Sequence, residues 1–274
     1  MSGVDPNGGG PLLVSGGASA PPEGTGLTSV TAGEWDTPST LAARLALETP
    51  AVIDASRSTA YAFADATGVT LVQGSGTAAV TGGQVVFTTA SGANTAAGAT
   101  PTATIALPAG IDPWRGVDIT VRLAGFTGTL GGAANRLWFS VASVADAPNN
   151  AHGTAGDWSV AVYSQPDGAL LVGDQSNGVA FANRGTTAAG ALLLDTQDWL
   201  RLIVRAGGYV VLTGRGSTRP TVWTRRLLNT IAAATASAVA YSQPSQVTLA
   251  GYRNGAQAEA HVVTFDDLLI TGLL

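Results

Sequence analysis

The stretch VVTFDDLLITGLL, residues 262–274, is a run of strand-forming residues interrupted by two adjacent acids, Asp266 and Asp267. Three readings compete: a catalytic carboxylate pair, a metal site, or the closing strand of a β-fold. Successive side chains on a strand point to opposite faces. Adjacent acids on one strand therefore share neither a proton nor a metal ion unless a β-bulge brings them together. The favoured reading is a structural acid that accepts backbone or arginine hydrogen bonds, beside one exposed to solvent.

The same pattern runs back through the chain. From Ser58 onward, short apolar runs are separated by Gly, Asn, Asp and Pro turns at intervals of roughly 8–15 residues, as in a sandwich or barrel. Strands are expected at 69–73, 84–89, 102–107, 117–123, 136–144, 158–163, 169–173, 179–182, 200–205, 209–213, 221–226, 247–252 and 261–271. In VDITVRL, Val117, Ile119, Val121 and Leu123 share one face, while Asp118, Thr120 and Arg122 take the other. One buried and one wet face is the habit of an antiparallel sheet. The segment IAAATASAVA, 231–240, fits a small helix or a strand equally well. YSQP occurs at Tyr163–Pro166 and Tyr241–Pro244 with unmatched flanks, which argues chance rather than a repeat.

Composition agrees with a loop-rich β-protein. The chain has 274 residues, 45% of them apolar, and 36 glycines, which suits one large domain plus an appendage. All thirteen basic residues are arginine, and the net charge is −5. Without a basic run, nucleic-acid binding is not expected, because its affinity depends on clustered cations. The absence of cysteine excludes thiolate metal sites and cysteine nucleophiles. No signal peptide, Asn-X-Ser/Thr sequon or run of about 20 apolar residues is present, so export and a membrane span are not expected.

Residues 1–36 are dominated by Gly, Pro, Ser and Thr and cannot bury enough surface to fold alone. They read as a free tail, or as an arm that becomes ordered on a partner with Leu12, Leu13, Val14 and Trp35 as anchors. In TPSTLAARLALETP, Thr37 can cap a helix, Pro38 suits its first position, and Pro50 ends it. Leu41, Leu45 and Glu48 fall on one helical stripe. Three turns are too few to stand alone, so the stripe must pack on its own domain or on copies about an oligomer axis.

Several stretches resemble the concanavalin A-like, laminin-G-like jelly rolls. The first is AYAFADATGVTLVQGSGTAAVTGGQVVF, with Phe63, Asp65, Gly68, Val80, Gly82, Gly83 and Val86 at the family's F-x-D opening and G-G hairpin. DWSVAVYSQPDGALLVG is similar to the family's middle strands about a Pro-Asp-Gly turn. DWLRLIVRAGGYVVLTGRG resembles its W-x-x-l-x-v hairpin, and VTFDDLLITGL its F-D-D closing strand. The likeness spans residues 58–274 and implies two stacked antiparallel sheets, with carbohydrate binding only loosely implied. The paired glutamates of the family's glycosidases have no counterpart here. Asp174 to Asn177 is too sparse for the calcium loop of its lectins. The arm, the helix and the Gly/Thr/Ala-rich, cysteine-free jelly roll together also resemble bacteriophage tail fibres, head fibres and minor tail proteins.

Candidate chemistry is thin. A Walker loop needs lysine, and neither GTGLTS nor GRGSTR completes a dinucleotide fingerprint. His152 and His261 are the sole histidines, too few for a zinc cluster or an easily assembled triad. A binding face is the better candidate. Trp199, Arg201, Ile203 and Arg205 point one way on DWLRLIVR, and Thr221, Trp223 and Arg225 share a face on TVWTRR. If the two faces coincide, tryptophans among arginines could stack on sugars, contact another subunit or pack under a loop. Trp138 and Trp158 read as core.

The expected protein is mainly β: an arm at 1–36, a helix and neck at 37–57, and an antiparallel jelly-roll sandwich at 58–274. It is expected to be a non-enzymatic virion component without a cofactor, assembled in a host cytoplasm. The arm would contact other virion proteins, a homo-oligomer is expected with a trimer favoured, and a host glycan is a candidate ligand. A free carbohydrate-binding protein is the alternative.

Overall fold

The computed structural model describes residues 53–74, 76–89, 92–93, 100–109, 111, 116–128, 135–142, 158–165, 167–176, 182–205, 208–230, 245–253, 256–257 and 261–273. The expected arm with Leu12, Leu13, Val14 and Trp35 lies outside the described residues. So do the expected helix with Leu41 and Leu45, the segment 231–240, His152 and Asn177.

The described strands are β1 (Ile53–Tyr61), β2 (Val69–Val72), β3 (Thr77–Thr81), β4 (Gln84–Thr89), β5 (Gly92–Ala93), β6 (Thr102–Ala106), β7 (Val117–Thr127), β8 (Asn135–Ala142) and β9 (Trp158–Ser164). They continue with β10 (Leu170–Ser176), β11 (Ala182–Thr186), β12 (Asp198–Arg205), β13 (Gly208–Arg215), β14 (Thr224–Thr230), β15 (Gln246–Arg253), β16 (Ala256–Gln257) and β17 (His261–Leu273). One sheet runs β14-β13-β12-β7-β17-β4-β3, with β1 also on β17, and the other runs β11-β10-β9-β8-β15-β6-β2. β5 and β16 form a separate small pair. Most neighbours are distant in sequence, as in an antiparallel jelly-roll sandwich.

Alternation builds the core. Val117, Ile119, Val121 and Leu123 of β7 and Leu200, Leu202 and Val204 of β12 face Leu137, Phe139 and Val141 of β8 and Val247 and Leu249 of β15. Phe87 and Phe265 meet edge to face across β4 and β17, with centroids 6.1 Å apart. Trp138 is buried, but not between the sheets: it lies on the outer face of the second sheet, stacked on Tyr163 at 5.5 Å. The expected core placement is corrected accordingly.

The stretch 262–274 makes the last strand, and it is central rather than peripheral. One edge of β17 pairs with β4 through residues 261–265 and with β1 through 268–273, while the other edge is taken by β7. Within it lies the bulge that would overturn the simple alternation. Asp266 opposes Arg122 and Leu269 opposes Thr120, so Asp267 and Leu268 together face Val121, and Asp267 has φ +47°. The two acids are therefore not sent to opposite faces.

Four strands were not expected from periodicity: β1, β3 and the two-residue β5 and β16. IDASRSTAY holds few β-branched or aromatic residues and TAAVT is only five residues long, and pairing with β17 and β4 forms them. The first strand begins at Ile53, within the span read as neck. Of the strand expected at 179–182 only Ala182 lies within the described residues, as the first residue of β11, and the strand expected at 221–226 is β14, which starts at Thr224.

Turn chemistry follows the motifs. Gly82 and Gly83 form the two-residue turn of the β3–β4 hairpin with φ +59° and +79°. After β9, the Asp167 side chain accepts from Ala169 N at 2.9 Å, and Gly168 takes φ +76°. The loop before β12 folds onto this turn: Leu192 N donates to Gly168 O, and a Cβ on Gly168 would lie 1.9 Å from Leu192 O.

Gly168→Ala therefore must move backbone as well as adopt a left-handed conformation. It should cost more than the ~1–2 kcal/mol of that conformation alone, whereas Gly82→Ala, with open space around it, should cost about that amount. Urea unfolding of the two variants separates the terms.

Candidate functional site

The outer face of the first sheet is where the predicted residues fall. Leu200, Leu202 and Val204 point into the core, which leaves Trp199, Arg201, Ile203 and Arg205 outward. Across the ladder, Arg201 lies between Thr120 of β7 and Leu212 of β13, and Leu212 opposes Arg225 of β14. Arg201 and Arg225 thus share a row. Thr221 and Trp223 precede β14, so the expected strand alternation with Arg225 does not form. A loop delivers Trp223 instead, placing its ring centre 5.4 Å from the Arg201 guanidinium carbon.

The face is not wet. Arg201 donates to both oxygens of Asp118, at 2.9 and 2.5 Å, and Asp118 is 2% exposed. Thr120 beside it is also buried. This corrects the half-solvated reading of VDITVRL. The cause is a cover: residues 216–223, between β13 and β14, fold over the sheet. Gly216 O accepts from Trp199 Nε1 at 2.9 Å, Ser217 O accepts from Arg122 Nη1 at 2.9 Å, and Arg219 Nη2 reaches Thr120 Oγ1 at 3.4 Å. Pro220 lies over Gly214, where a Cβ would come within 2.7 Å of its ring.

Trp199 is consequently 2% exposed, beneath the Arg122 guanidinium at 5.8 Å. Its ring is sealed and offers no face to a sugar. Among the predicted residues, Trp223, Arg201, Arg205 and Arg225 are half-buried. Burial lowers the Arg205 pKa, partly offset by Asp118.

The bulged acids close the other side of this layer. Asp266 accepts from Arg122 Nε and Nη2 at 2.7 and 2.6 Å, and Asp267 lies 3.2 Å from the same Nη2 with its side chain 51% exposed. The expectation of one arginine-bound acid and one exposed acid matches this geometry, but the separation argument does not. Both acids meet one guanidinium because of the bulge. The hydrogen bond to Asp266 raises the Arg122 pKa.

Other acids are engaged in the same manner. Asp174 accepts from Arg184 Nε and Nη2 and, at 3.2 Å, from the Tyr209 hydroxyl, which bridges the two sheets. Arg215 binds Asp195 and the buried Asp198. Burial nevertheless pushes Asp198 above the ordinary carboxylate range, while the Arg215 hydrogen bond lowers Asp195. His261 Nδ1 lies 2.6 Å from Thr89 Oγ1, and its ring stacks on Phe126. Among the described residues no three His, Asp or Glu side chains gather as a metal site. Asp118, Asp174 and Asp266 each have their oxygens occupied by arginine donors, an arrangement that suits a structural role.

Asp118, Arg122 and Arg219 belong to this layer although the sequence marked none of them as a site. A charge alternation was visible in VDITVRL, but its partners sit on β12, β17 and a loop, and only register joins them.

No protein family matches the chain, and no curated protein matches it. Among solved structures, the potassium-bound carbohydrate recognition domain of Emp46p is similar at 11% identity, with a TM-score of 0.48 over 81% of this chain and 100% of that one. The VIP36 exoplasmic/lumenal domain bound to Ca2+ and Man3GlcNAc gives 12%, 0.47, 81% and 90%. The legume lectin-like domain from Entamoeba histolytica gives 8%, 0.47, 76% and 91%. The strand pairing defines this chain as a two-sheet antiparallel jelly roll, and no residue role passes to it from these domains.

Arg201→Ala should cost about 3–5 kcal/mol in chemical denaturation, because it strands the buried Asp118 charge. Trp199→Ala should cost a similar ~3–5 kcal/mol through the cavity it leaves. Asp267→Asn should change stability by less than about 0.5 kcal/mol, as expected for an exposed ion pair.

Proposed function

We propose that this chain is a non-enzymatic structural component of a bacteriophage virion. Residues 1–36 hold it to a neighbouring virion protein, and the jelly roll is displayed outward to stabilise the particle or contact the host surface. The observation that carries this reading is the pairing of Ile53 with Leu273. The first described strand, β1, lies alongside the last, β17. Their Gly/Pro/Ser/Thr composition suits an arm that becomes ordered on a partner. The arginine-held acids support a role without acid–base chemistry. Deleting residues 1–36 should abolish incorporation into particles while leaving the β-sheet circular dichroism and thermal transition in place. Particles that still take up the shortened protein would overturn the attachment reading.

A free carbohydrate-binding protein is the second reading, favoured by Trp223, a half-buried indole on the outer face. It requires saturable glycan binding that Trp223→Ala weakens at least about tenfold, the loss expected when a ring-stacking anchor is truncated. A glycan array without a hit counts against it.

A further inference from the structure

No Asp, Glu, Lys, Arg or His occurs between Asp65 and Asp112. That span supplies β2, β3, β4, β5 and β6. Two of these, β2 and β3, end the strand orders of their respective sheets. Gln73, which directly follows β2, joins the two edges: its Nε2 donates to Ala78 O of β3 at 2.9 Å, and its Oε1 accepts from Ala78 N at 2.8 Å. The edges of both sheets thus form one uncharged flank. Thr70 and Val72 are exposed on its second-sheet side, and Thr77, Ala79 and Thr81 on its first-sheet side, while Ala78 is buried in the core. Val72, at 46% exposure, is one of three large apolar side chains that stand exposed among the described residues.

The opposite flank is built differently. There β14 and β11 end the two sheets, and they carry Arg225, Arg226 and Arg184. Each also belongs to an irregular pair, with register shifts between Val211 and Leu212 and between Val172 and Gly173. Charges and bulges are the usual means by which a sheet edge is kept from meeting another chain. β2 and β3 pair with β6 and β4 in unbroken register and have neither device. Because Gln73 already satisfies the backbone of Ala78, this flank offers side chains for packing rather than a ladder for a further strand.

We infer that the β2–β3 flank is the surface on which a second copy of this chain packs, flank to flank. Charge selects that occupant. Each copy carries a net −5, and two identical surfaces in contact set like charges against each other, which is costly once they are desolvated. A self-contact through the arginine-bearing flank meets that cost, whereas one through β2 and β3 opposes no charge at all. The small threonine and alanine side chains permit close approach, and Val72 supplies an apolar point of contact. The uncharged surface continues over β4 and β6, the next strands inward in each sheet, so the contact is not confined to two edge strands. The inference holds whatever particle or ligand the chain serves.

Sedimentation equilibrium of the full-length protein over a concentration series should show assembly beyond the monomer. Val72→Glu and, separately, Ala79→Glu charge the two sides of the flank, and each should weaken that assembly at least about tenfold, since every copy brings the same new charge to the contact. Both positions are exposed, so the fold should persist, which circular dichroism and a thermal melt check; if one variant misfolds, the other decides. Val222→Glu is the control. It charges an apolar side chain that is 81% exposed on the loop after β13, and it should leave assembly unchanged. A monomer at every concentration overturns the inference. Assembly retained by the folded flank variants also overturns it, because the contact then lies on another surface, as does assembly lost equally in Val222→Glu.

Discussion

The last strand is the constraint on which the sandwich depends. β17 joins β1, β4 and β7, so the first sheet cannot close until the end of the chain arrives. Its bulge then does more than kink the strand. By placing Asp267 at φ +47° the chain brings two carboxylates to one guanidinium, and Arg122 ties β17 to β7 and to the loop after β13. Backbone irregularity and charge pairing reinforce one another at that point. The strain of a left-handed aspartate is modest, since Asp tolerates this region better than most side chains.

That contact begins a layer of charges and rings over the sheet. Asp118 with Arg201, Asp266 with Arg122, and the tryptophans against these guanidiniums replace the solvent that an outward sheet face normally meets. Buried pairs of this kind add little net stability compared with apolar packing, but a wrong register would leave a charge unpaired at high cost. Their effect here is to pin the registers of β7, β12 and β17 and the position of the loop 216–223. The apolar cluster of Ile203, Val210 and Leu273 extends the covered area along the same face.

Much of the β-structure was legible. VDITVRL, DWLRLIVR and HVVTFDDLLITGL announce strands through alternation and β-branched residues, and Gly82-Gly83 and Asp167-Gly168 announce turns through the backbone conformations they allow. Where the reading failed, the local signal was weak or the deciding partner was remote. IDASRSTAY has no strong periodicity and becomes a strand by lying on β17. TVWTRR alternates well enough to suggest a strand, but Trp223 is drawn over Gly214 and Arg201 by packing, while Thr221 and Val222 stay exposed.

By itself the sequence determined the fold class, the alternating core faces and the scarcity of catalytic groups, because these follow from side-chain periodicity and residue inventory. The tertiary structure alone decided what the outward residues do. Trp199, a candidate ring for a ligand, is roofed by a loop from beyond the next strand, and Asp118 is buried by an arginine eighty-three residues away. Asp266 and Asp267, which strict alternation would part, share Arg122 through a bulge. In each case the outcome depends on cross-strand register and on what covers the sheet, and neither quantity is encoded in the spacing of residues along one strand.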